Sequence, residues 1–345
     1  MSRCSSPLTS GRFPVSLEAM QHKNPTILLS EVLTREQQEE LSRVAPRARL
    51  VSLPELGSDP SLVQSIDICY SALPLELWDK AGSLSWLQTK SAGVDSILAL
   101  PQVKGHPATI TNVHIHGSAV AEHLWGMALM LTRNLKTAVI RQGEARWDES
   151  LRDGLDNLSG RTLCVVGMGN IGASCAAVGK ALGMRVVGIR RNHRPGGPSV
   201  LSAGAQADIV VGPERRLEAF ADAKLVMMIL PDTPETRAFV GKEELSVMKG
   251  TLLINGGRGH AIHTPALIDA LRLGNVLGAG LDVTDPEPLP PSHPLWSMPN
   301  VIITPHYAGN HPGYNAEAFS VFLDNLGRWM RGEPLTNIVD RSRGY

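Results

Sequence analysis

Three side chains of complementary chemistry punctuate the C-terminal half of the chain: Arg258 in INGGRG, Glu287 in DPEP and His306 in TPHYAG. A guanidinium pairs with a substrate carboxylate and polarises a neighbouring keto oxygen. An imidazolium donates the proton that neutralises a developing alkoxide, and a carboxylate beside it holds the ring in one orientation. Beside a nicotinamide, this set is what hydride transfer to a 2-keto acid requires. Singly, each has a plainer reading. His306 is one of 11 histidines, Arg258 suits a phosphate equally well, and Glu287 lies among Pro286, Pro288, Pro290 and Pro291, where acids are ordinary. The weight rests on all three following strands downstream of a nucleotide motif.

That motif is RTLCVVGMGNIGASCAAVGKALGMRVVGIRR, Arg161 to Arg191. A buried parallel strand is predicted over Thr162–Val166, then a G-x-G-x-x-G turn (Gly167, Gly169, Gly172), a small-residue helix, and a second buried strand over Arg185–Ile189. This is the order a dinucleotide site needs. Gly167 permits the tight turn, Gly169 lets backbone N–H groups approach a pyrophosphate, and Gly172 allows close helix packing, while the helix start offers unpaired donors. An NAD site ordinarily carries Asp or Glu after the second strand to hold the ribose 2′-hydroxyl; here stand Arg190 and Arg191. Guanidinium groups there suit the 2′-phosphate of NADP(H), with NAD(H) as the second choice; a solvated arginine pair is the plain alternative.

The elements that must position these residues alternate between strand and helix. Strands are predicted at Thr26–Ser30, Arg49–Ser52, Ile66–Tyr70, Leu84–Thr89 and Ala108–Val113, with a Thr34-capped helix after the first. Gly117 to Asn134 is apolar on most faces and predicts a helix buried nearly all round, with a dimer contact as a further use. Gly143–Gly160 and Arg194–Pro198 are predicted loops. Further strands fall at Ala223–Leu230, Thr251–Asn255, Ala279–Val283 and Val301–Thr304. In a doubly wound sheet ligands bind beyond the carboxyl ends of the strands. Leu230–Pro231, Arg258, Asp282 with Glu287, and His306 are therefore expected on one rim with the glycine turn.

With 345 residues, 43% hydrophobic content and 19% charge, the chain accommodates two soluble α/β domains. A formal net charge of zero gives no reason to expect nucleic acid or an anionic membrane as partner, and no apolar run has the length of a span. Cys4, Cys69, Cys164 and Cys175 are scattered, as suits reduced thiols in a cytoplasmic protein. The Ser- and Pro-bearing N-terminus, residues 1–24, is expected to be a disordered tail, a transit peptide being the alternative. His114, His116 and His123 lack a ligand-spaced Cys or carboxylate, so no metal is expected.

The residues also resemble the D-isomer-specific 2-hydroxyacid dehydrogenases, from Thr26 to about Leu335. The matching motifs are SAGVD (Ser91 to Asp95), VAEH (Val120 to His123), VVGMGNIG, LPDTPETR (Leu230 to Arg237), INGGRG, GLDVTDPEP (Gly280 to Pro288) and TPHYAG (Thr304 to Gly309). The resemblance implies two Rossmann-like doubly wound parallel-sheet domains. A dinucleotide-binding domain (117–310) would be inserted in a flavodoxin-like substrate domain (25–116 and 311–345). It implies that Arg258, Glu287 and His306 are the catalytic set, and that Ser91, Ala92 and Gly93 meet the substrate carboxylate together with Arg258 and His306. Asn170, Ile171, Leu230, Pro231, Thr236, Gly256, Gly257, Arg258, His306 and Gly309 would lie along the cofactor, with Asp282 on the nicotinamide carboxamide. Glu287 stands where formate-oxidising members carry Gln, which argues against that branch. Arg190 is similar to the NADPH-linked glyoxylate/hydroxypyruvate reductase branch. Gly256–Gly257 replace small non-Gly residues of many members, so Arg258 is expected to be held less rigidly. A homodimer is implied, acting on a small 2-keto or 2-hydroxy acid. The alternative is a dinucleotide-sensing, corepressor-like binding protein, since some relatives work that way.

Overall fold

A computed structural model describes residues 24–191 and 207–344. Residues 1–23 of the expected tail and the expected Arg194–Pro198 loop lie outside the described residues. The chain forms two compact units. The first comprises 24–90, 105–112 and 316–338, and the second 91–104, 113–191, 207–315 and 339–344. Residues 91–104 and 339–344 therefore cluster with the unit that carries the glycine turn.

In the first unit, β1 (Thr26–Leu29), β2 (Arg49–Ser52), β3 (Ile68–Tyr70), β4 (Trp86–Gln88) and β5 (Thr109–Thr111) form a parallel sheet in the order β2-β1-β3-β4-β5. This is the flavodoxin-like order. The Arg35–Val44 helix starts where Thr34 predicts it: the Thr34 side chain accepts from Gln37 N–H and the Gln37 side chain returns to Thr34 N–H, a complete capping box. The Tyr314–Arg331 helix presents Phe319, Phe322, Leu326 and Trp329 at helical spacing. Phe322 stacks on Tyr70, with ring centroids 4.5 Å apart. Inside the same unit a closed polar network replaces apolar packing. Gln88 Oε1 accepts from Thr111 Oγ1 (2.8 Å) and Asn325 Nδ2 (3.0 Å), while Asn325 Oδ1 accepts from Thr336 N–H at 2.8 Å.

In the second unit, β6 (Thr162–Val166), β7 (Arg185–Ile189), β8 (Ile209–Val211), β9 (Leu225–Met228), β10 (Thr251–Asn255), β11 (Val276–Leu281) and β12 (Val301–Ile303) are all parallel, ordered β12-β11-β10-β9-β6-β7-β8. Both faces are covered. Cys164 and Val166 of β6 enter one apolar cluster, Leu163 and Val165 the other, as the two-residue alternation of a strand requires. The Gly117–Thr132 helix departs from the expected all-round burial. Val120, Leu124, Trp125, Met127 and Ala128 face the core, while Glu122, Gly126 and Leu129 face outward. Leu129 is thereby an apolar side chain left on the surface of this helix. The Leu135–Gly143 helix and β8 are elements the sequence reading left without structure. Cys69, Cys164 and Cys175 are buried and unpaired, and burial pushes the Cys69 and Cys175 thiols up to about 12.

Asn325→Ala would strip Thr336 N–H and Gln88 Oε1 of a buried partner. A loss of about 2 kcal/mol in urea-unfolding stability is the expected outcome, since unmet buried polar groups carry their desolvation cost; an unchanged midpoint would show the network to be dispensable.

Candidate functional site

The order of the second sheet reverses between β6 and β9, so the loops that follow these strands diverge and leave a crevice at their carboxyl ends. Each loop leaves the sheet in register. Gly167 N–H donates to Ile189 O, Ile229 N–H to Val166 O, Gly256 N–H to Met228 O, Asp282 N–H to Asn255 O and Thr304 N–H to Leu281 O, all at 2.8–3.1 Å. The sequence-predicted residues after β6, β7, β9, β10, β11 and β12 are thus delivered to one rim.

The glycine turn fits a dinucleotide on its own geometry. Gly167 has φ +99°, and a Cβ there would lie 2.3 Å from Ile229 O. A Cβ on Gly172 would meet Gly167 O at 2.1 Å, whereas one on Gly169 would meet nothing within 4 Å. The first and third glycines are required by packing, and the second opens onto free space. No side chain caps the Asn170–Ala181 helix, whose first N–H groups face that space with the positive end of the helix dipole behind them. Asn170 itself turns away: its Nδ2 donates to His114 O at 2.7 Å, so its contribution to the turn is its backbone and Ile171 follows it in the first helical turn. Arg190 and Arg191 are exposed directly after β7. Glu235 in the loop after β9 is held below the usual carboxylate range by its own backbone N–H and the Thr233 hydroxyl, with the Arg191 charge adding to the effect.

In the same loop, Thr236 Oγ1 donates to Pro231 O at 2.6 Å and accepts from Thr233 N–H at 2.9 Å. Its hydroxyl closes the turn that follows Leu230. Gly309 packs against His116, leaving no room for a Cβ: the nearest ring carbon would be 2.7 Å away.

Arg258 is held from several sides, which corrects the expectation of a loosely held guanidinium. Asn255 Oδ1 accepts from Gly257 N–H (3.1 Å) and Asn255 Nδ2 donates to Arg258 O (2.9 Å), wrapping the turn. Gly257 abuts backbone, and a side chain on Gly256 would have to push the Leu124 side chain aside. A Cβ on Gly257 would come within 2.5 Å of Leu230 N, and one on Gly256 within 2.6 Å of Leu124. The Arg258 side chain then donates from Nε (3.1 Å) and Nη2 (2.7 Å) to Asp95 Oδ1 and from Nη1 to Gly257 O at 2.9 Å. Asp95 stands in the SAGVD motif but was not among the expected site residues; a carboxylate beside a glycine turn carries no sequence mark of its distant partner. Burial raises the Asp95 carboxyl, but the Arg258 hydrogen bonds and charge outweigh it, and His306 adds to them, leaving the group below its ordinary value. A depressed aspartate stabilises the fold above its unfolded-state pKa, and that contribution is lost as pH falls through the folded value. The pair is therefore fully formed at neutral pH. Ser91 Oγ donates to Gly93 O at 2.8 Å, closing the Ser91–Ala92–Gly93 turn against the guanidinium.

His306 and Glu287 meet as expected: Nδ1 and Glu287 Oε1 are 2.6 Å apart, both side chains partly open to solvent. His306 sits at φ +51°, a left-handed backbone unusual for any residue but glycine. Asp282 is 3% exposed and its carboxylate accepts from Thr304 Oγ1 (2.7 Å), Tyr307 N–H (3.2 Å) and Ala308 N–H (3.1 Å). His123, which the sequence marked as the end of VAEH and as one of three histidines without a role, lies 2.9 Å from Thr304 Oγ1 through Nε2. Its neighbours do not join it: His114 is exposed and His116 buried. Among the described residues no group of His, Cys, Asp and Glu is arranged to hold a metal ion, and no helix is long and apolar enough to cross a membrane.

The profile of the family described as "D-isomer specific 2-hydroxyacid dehydrogenase, NAD binding domain" matches residues 125–308. A glyoxylate reductase of Thermofilum pendens is 32% identical over 77% of this chain and 78% of its own length. The crystal structure of a D-isomer specific 2-hydroxyacid dehydrogenase family protein from Aeromonas salmonicida superposes with a TM-score of 0.78 at 31% identity, covering 92% of this chain and 99% of that one. A D-isomer specific 2-hydroxyacid dehydrogenase from Xanthobacter autotrophicus, solved with NADPH and MES, gives 0.76 at 27% identity, with 93% and 99% covered.

A methyl group on Gly93 would fall 1.6 Å from Arg258 Nη2. Gly93→Ala is expected to push the guanidinium off Asp95 and cut turnover by about tenfold or more, as misplacement of a reacting group does, with dinucleotide affinity unchanged. Native turnover in that variant would contradict the placement of Arg258.

Proposed function

The chain belongs to the D-isomer-specific 2-hydroxyacid dehydrogenase family, and on that premise we propose that it works as an NADPH-linked reductase of a small 2-keto acid of the glyoxylate or hydroxypyruvate type. One observation carries the reading: a 2.6 Å His306–Glu287 pair and an Arg258 locked on Asp95 lie at the ends of strands neighbouring an uncapped glycine turn. The nicotinamide dinucleotide, when bound, supplies or accepts the hydride.

The side chains do the rest. Asp95 occupies the Nε and Nη2 edge of Arg258 and Gly257 O one Nη1 hydrogen, so the guanidinium keeps outward donors on Nη1 and Nη2 for a carboxylate and the adjacent keto oxygen. Glu287 holds His306 by Nδ1, leaving Nε2 as the nitrogen that hands a proton to the alkoxide. In the oxidative direction the same nitrogen takes the proton back. The Ser91–Ala92–Gly93 turn, packed on Arg258, adds backbone to the carboxylate end. Asp282 is assigned the nicotinamide side of the rim, and Leu230, Pro231, Thr236, Gly256 and Gly309 its walls. The preference for NADPH is supported by Arg190 and Arg191 standing exposed directly after β7 and by the relative solved with NADPH, and the substrate class by the glyoxylate reductase relative. A sensor without chemistry would have no use for the His306–Glu287 pair.

A homodimer is proposed as well, with the segment after the Gly117–Thr132 helix as part of its contact. Leu135, Val139 and Ile140 of the Leu135–Gly143 helix and Trp147 just beyond it are exposed, Trp147 by 87%. Exposed aromatic and aliphatic side chains gathered in this way mark an association surface.

The decisive assay follows NADPH and NADH oxidation in parallel with glyoxylate, hydroxypyruvate, pyruvate and an aromatic 2-keto acid. Faster turnover with NADPH, and with glyoxylate and hydroxypyruvate, is expected. His306→Ala and Arg258→Ala should abolish it while NADPH still binds; near-native activity in either variant would sink the assignment. Val139→Asp should convert a dimer to a monomer in sedimentation velocity, and an unchanged sedimentation coefficient would move the interface elsewhere.

A further inference from the structure

His123 stands outside the catalytic set proposed above, yet its ring reaches the turn that carries His306. Nε2 lies 2.9 Å from Thr304 Oγ1 and 3.6 Å from Asp282 Oδ1. The Thr304 hydroxyl donates to Asp282 Oδ1 at 2.7 Å, because a carboxylate can only accept. Its single hydrogen is thereby committed. The contact with His123 must run the other way, from Nε2–H to Thr304 Oγ1, which fixes the hydrogen of a neutral His123 on Nε2.

Beyond Thr304 the same carboxylate gathers the turn. Asp282 accepts from the N–H groups of Tyr307 (3.2 Å) and Ala308 (3.1 Å), and its backbone carbonyl accepts from His306 N–H at 2.9 Å. The Tyr307 ring meets the His123 ring edge-on, with centroids 5.1 Å apart. Between these anchors His306 takes φ +51°, a conformation an L-residue keeps only where its surroundings impose it. The Glu287 contact holds the ring and leaves the backbone to be held by other groups.

We propose that His123 is a positioning residue for His306: its Nε2–H, through Thr304 and Asp282, holds the 304–308 turn so that the His306 ring stays against Glu287 and presents Nε2 to substrate. The inference rests on the reading of His306 as proton donor. It assigns a function to the last residue of VAEH, reached by a helix far from the catalytic residues in sequence.

The test compares two substitutions that differ in one donor. His123→Phe keeps an aromatic ring beside Tyr307 and removes the N–H. His123→Gln places an amide N–H at about the reach of the imidazole Nε2. In the full-length enzyme with its best keto acid, His123→Phe should lower kcat about ten- to hundredfold, the range that small misplacements of a reacting group produce. KM for the keto acid, NADPH affinity and thermal midpoint should stay close to those of the parent. His123→Gln should recover most of kcat. Thr304→Val, which breaks the middle link, should match the Phe variant, with Thr304→Ser restoring activity, and the His123→Phe/Thr304→Val double variant should fall no further than either single one, as expected of residues acting through one chain of contacts. The ¹⁵N imidazole spectrum of the intact protein at neutral pH should show His123 as the Nε2–H tautomer.

Equal kcat losses in the Phe and Gln variants, native kcat in His123→Phe, or an Nδ1–H tautomer would each overturn the proposal. Native kcat in His123→Phe beside an inactive His306→Ala would overturn it alone, leaving the proposed reaction intact. Native turnover in His306→Ala would overturn both.

Discussion

The parallel pairing of β6 with β9 is the constraint on which the site depends. Leu163 through Val166 run beside Leu225 through Met228, and strand order departs in opposite directions from this pair. Because every strand is parallel, all the carboxyl ends lie on one rim, and the loops after β6 and β9 must part there. The glycine turn occupies one side of the gap and Leu230 begins the other. Gly167 makes the two sides compatible: its missing Cβ admits the Ile229 carbonyl, and its positive φ turns the chain into the helix. β10, β11 and β12 then add Arg258, Asp282 and His306 in spatial order along the same edge.

Much of this was legible because buried parallel strands leave continuous apolar runs, and because the chemistry follows the runs directly. TLCVV, TLLIN, Ala279–Val283 and Val301–Thr304 each announce a strand, the third of which begins earlier, at Val276, in the structure, and the polar residues of the rim follow them. The Thr34 cap was legible for a similar reason: Thr34 meets its partner Gln37 within four residues of sequence, and the Gln37 side chain, which the sequence reading did not single out, returns the bond. Local physics suffices wherever both partners of an interaction are close in the chain.

Where partners are distant, the sequence carried residue types and no pairing. Asp95 and Arg258 are separated by 163 residues, and His123 and Thr304 by 181. Neither contact leaves a spacing that could be counted. The two glycines before Arg258 misled for the same reason. Read locally, Gly256–Gly257 mean a pliant backbone; in the fold they mean that the Leu230 backbone comes too close to Gly257 for a Cβ and that the Leu124 side chain fills the space beside Gly256. The Gly117–Thr132 helix erred in the opposite sense. Its apolar content was read as burial on most faces, but Gly126 and Leu129 face outward beside Glu122.

The polar groups of the rim divide into those left with open donors or surface, which the proposed function assigns to the ligand, and those that hold them. Arg258, Glu287 and His306 keep unspent donors or open surface, whereas Asp95, Asn255, Thr304 and Thr236 are turned into hydrogen bonds within the protein. This division follows from the cost of fixing a long side chain. On the proposed reading of Arg258 and His306, a guanidinium with several rotors or a histidine at positive φ gains catalytic precision only if the protein meets the ordering cost before substrate arrives. Asp95 does so for Arg258 with a charge-assisted pair, and Asp282 does so for His306 with a buried carboxylate that ties together a hydroxyl and two backbone N–H groups. A neutral partner could not stand in for Asp282 unchanged. Thr304, Tyr307 and Ala308 all donate, so the group between them must accept from every direction, as a carboxylate can and an amide cannot.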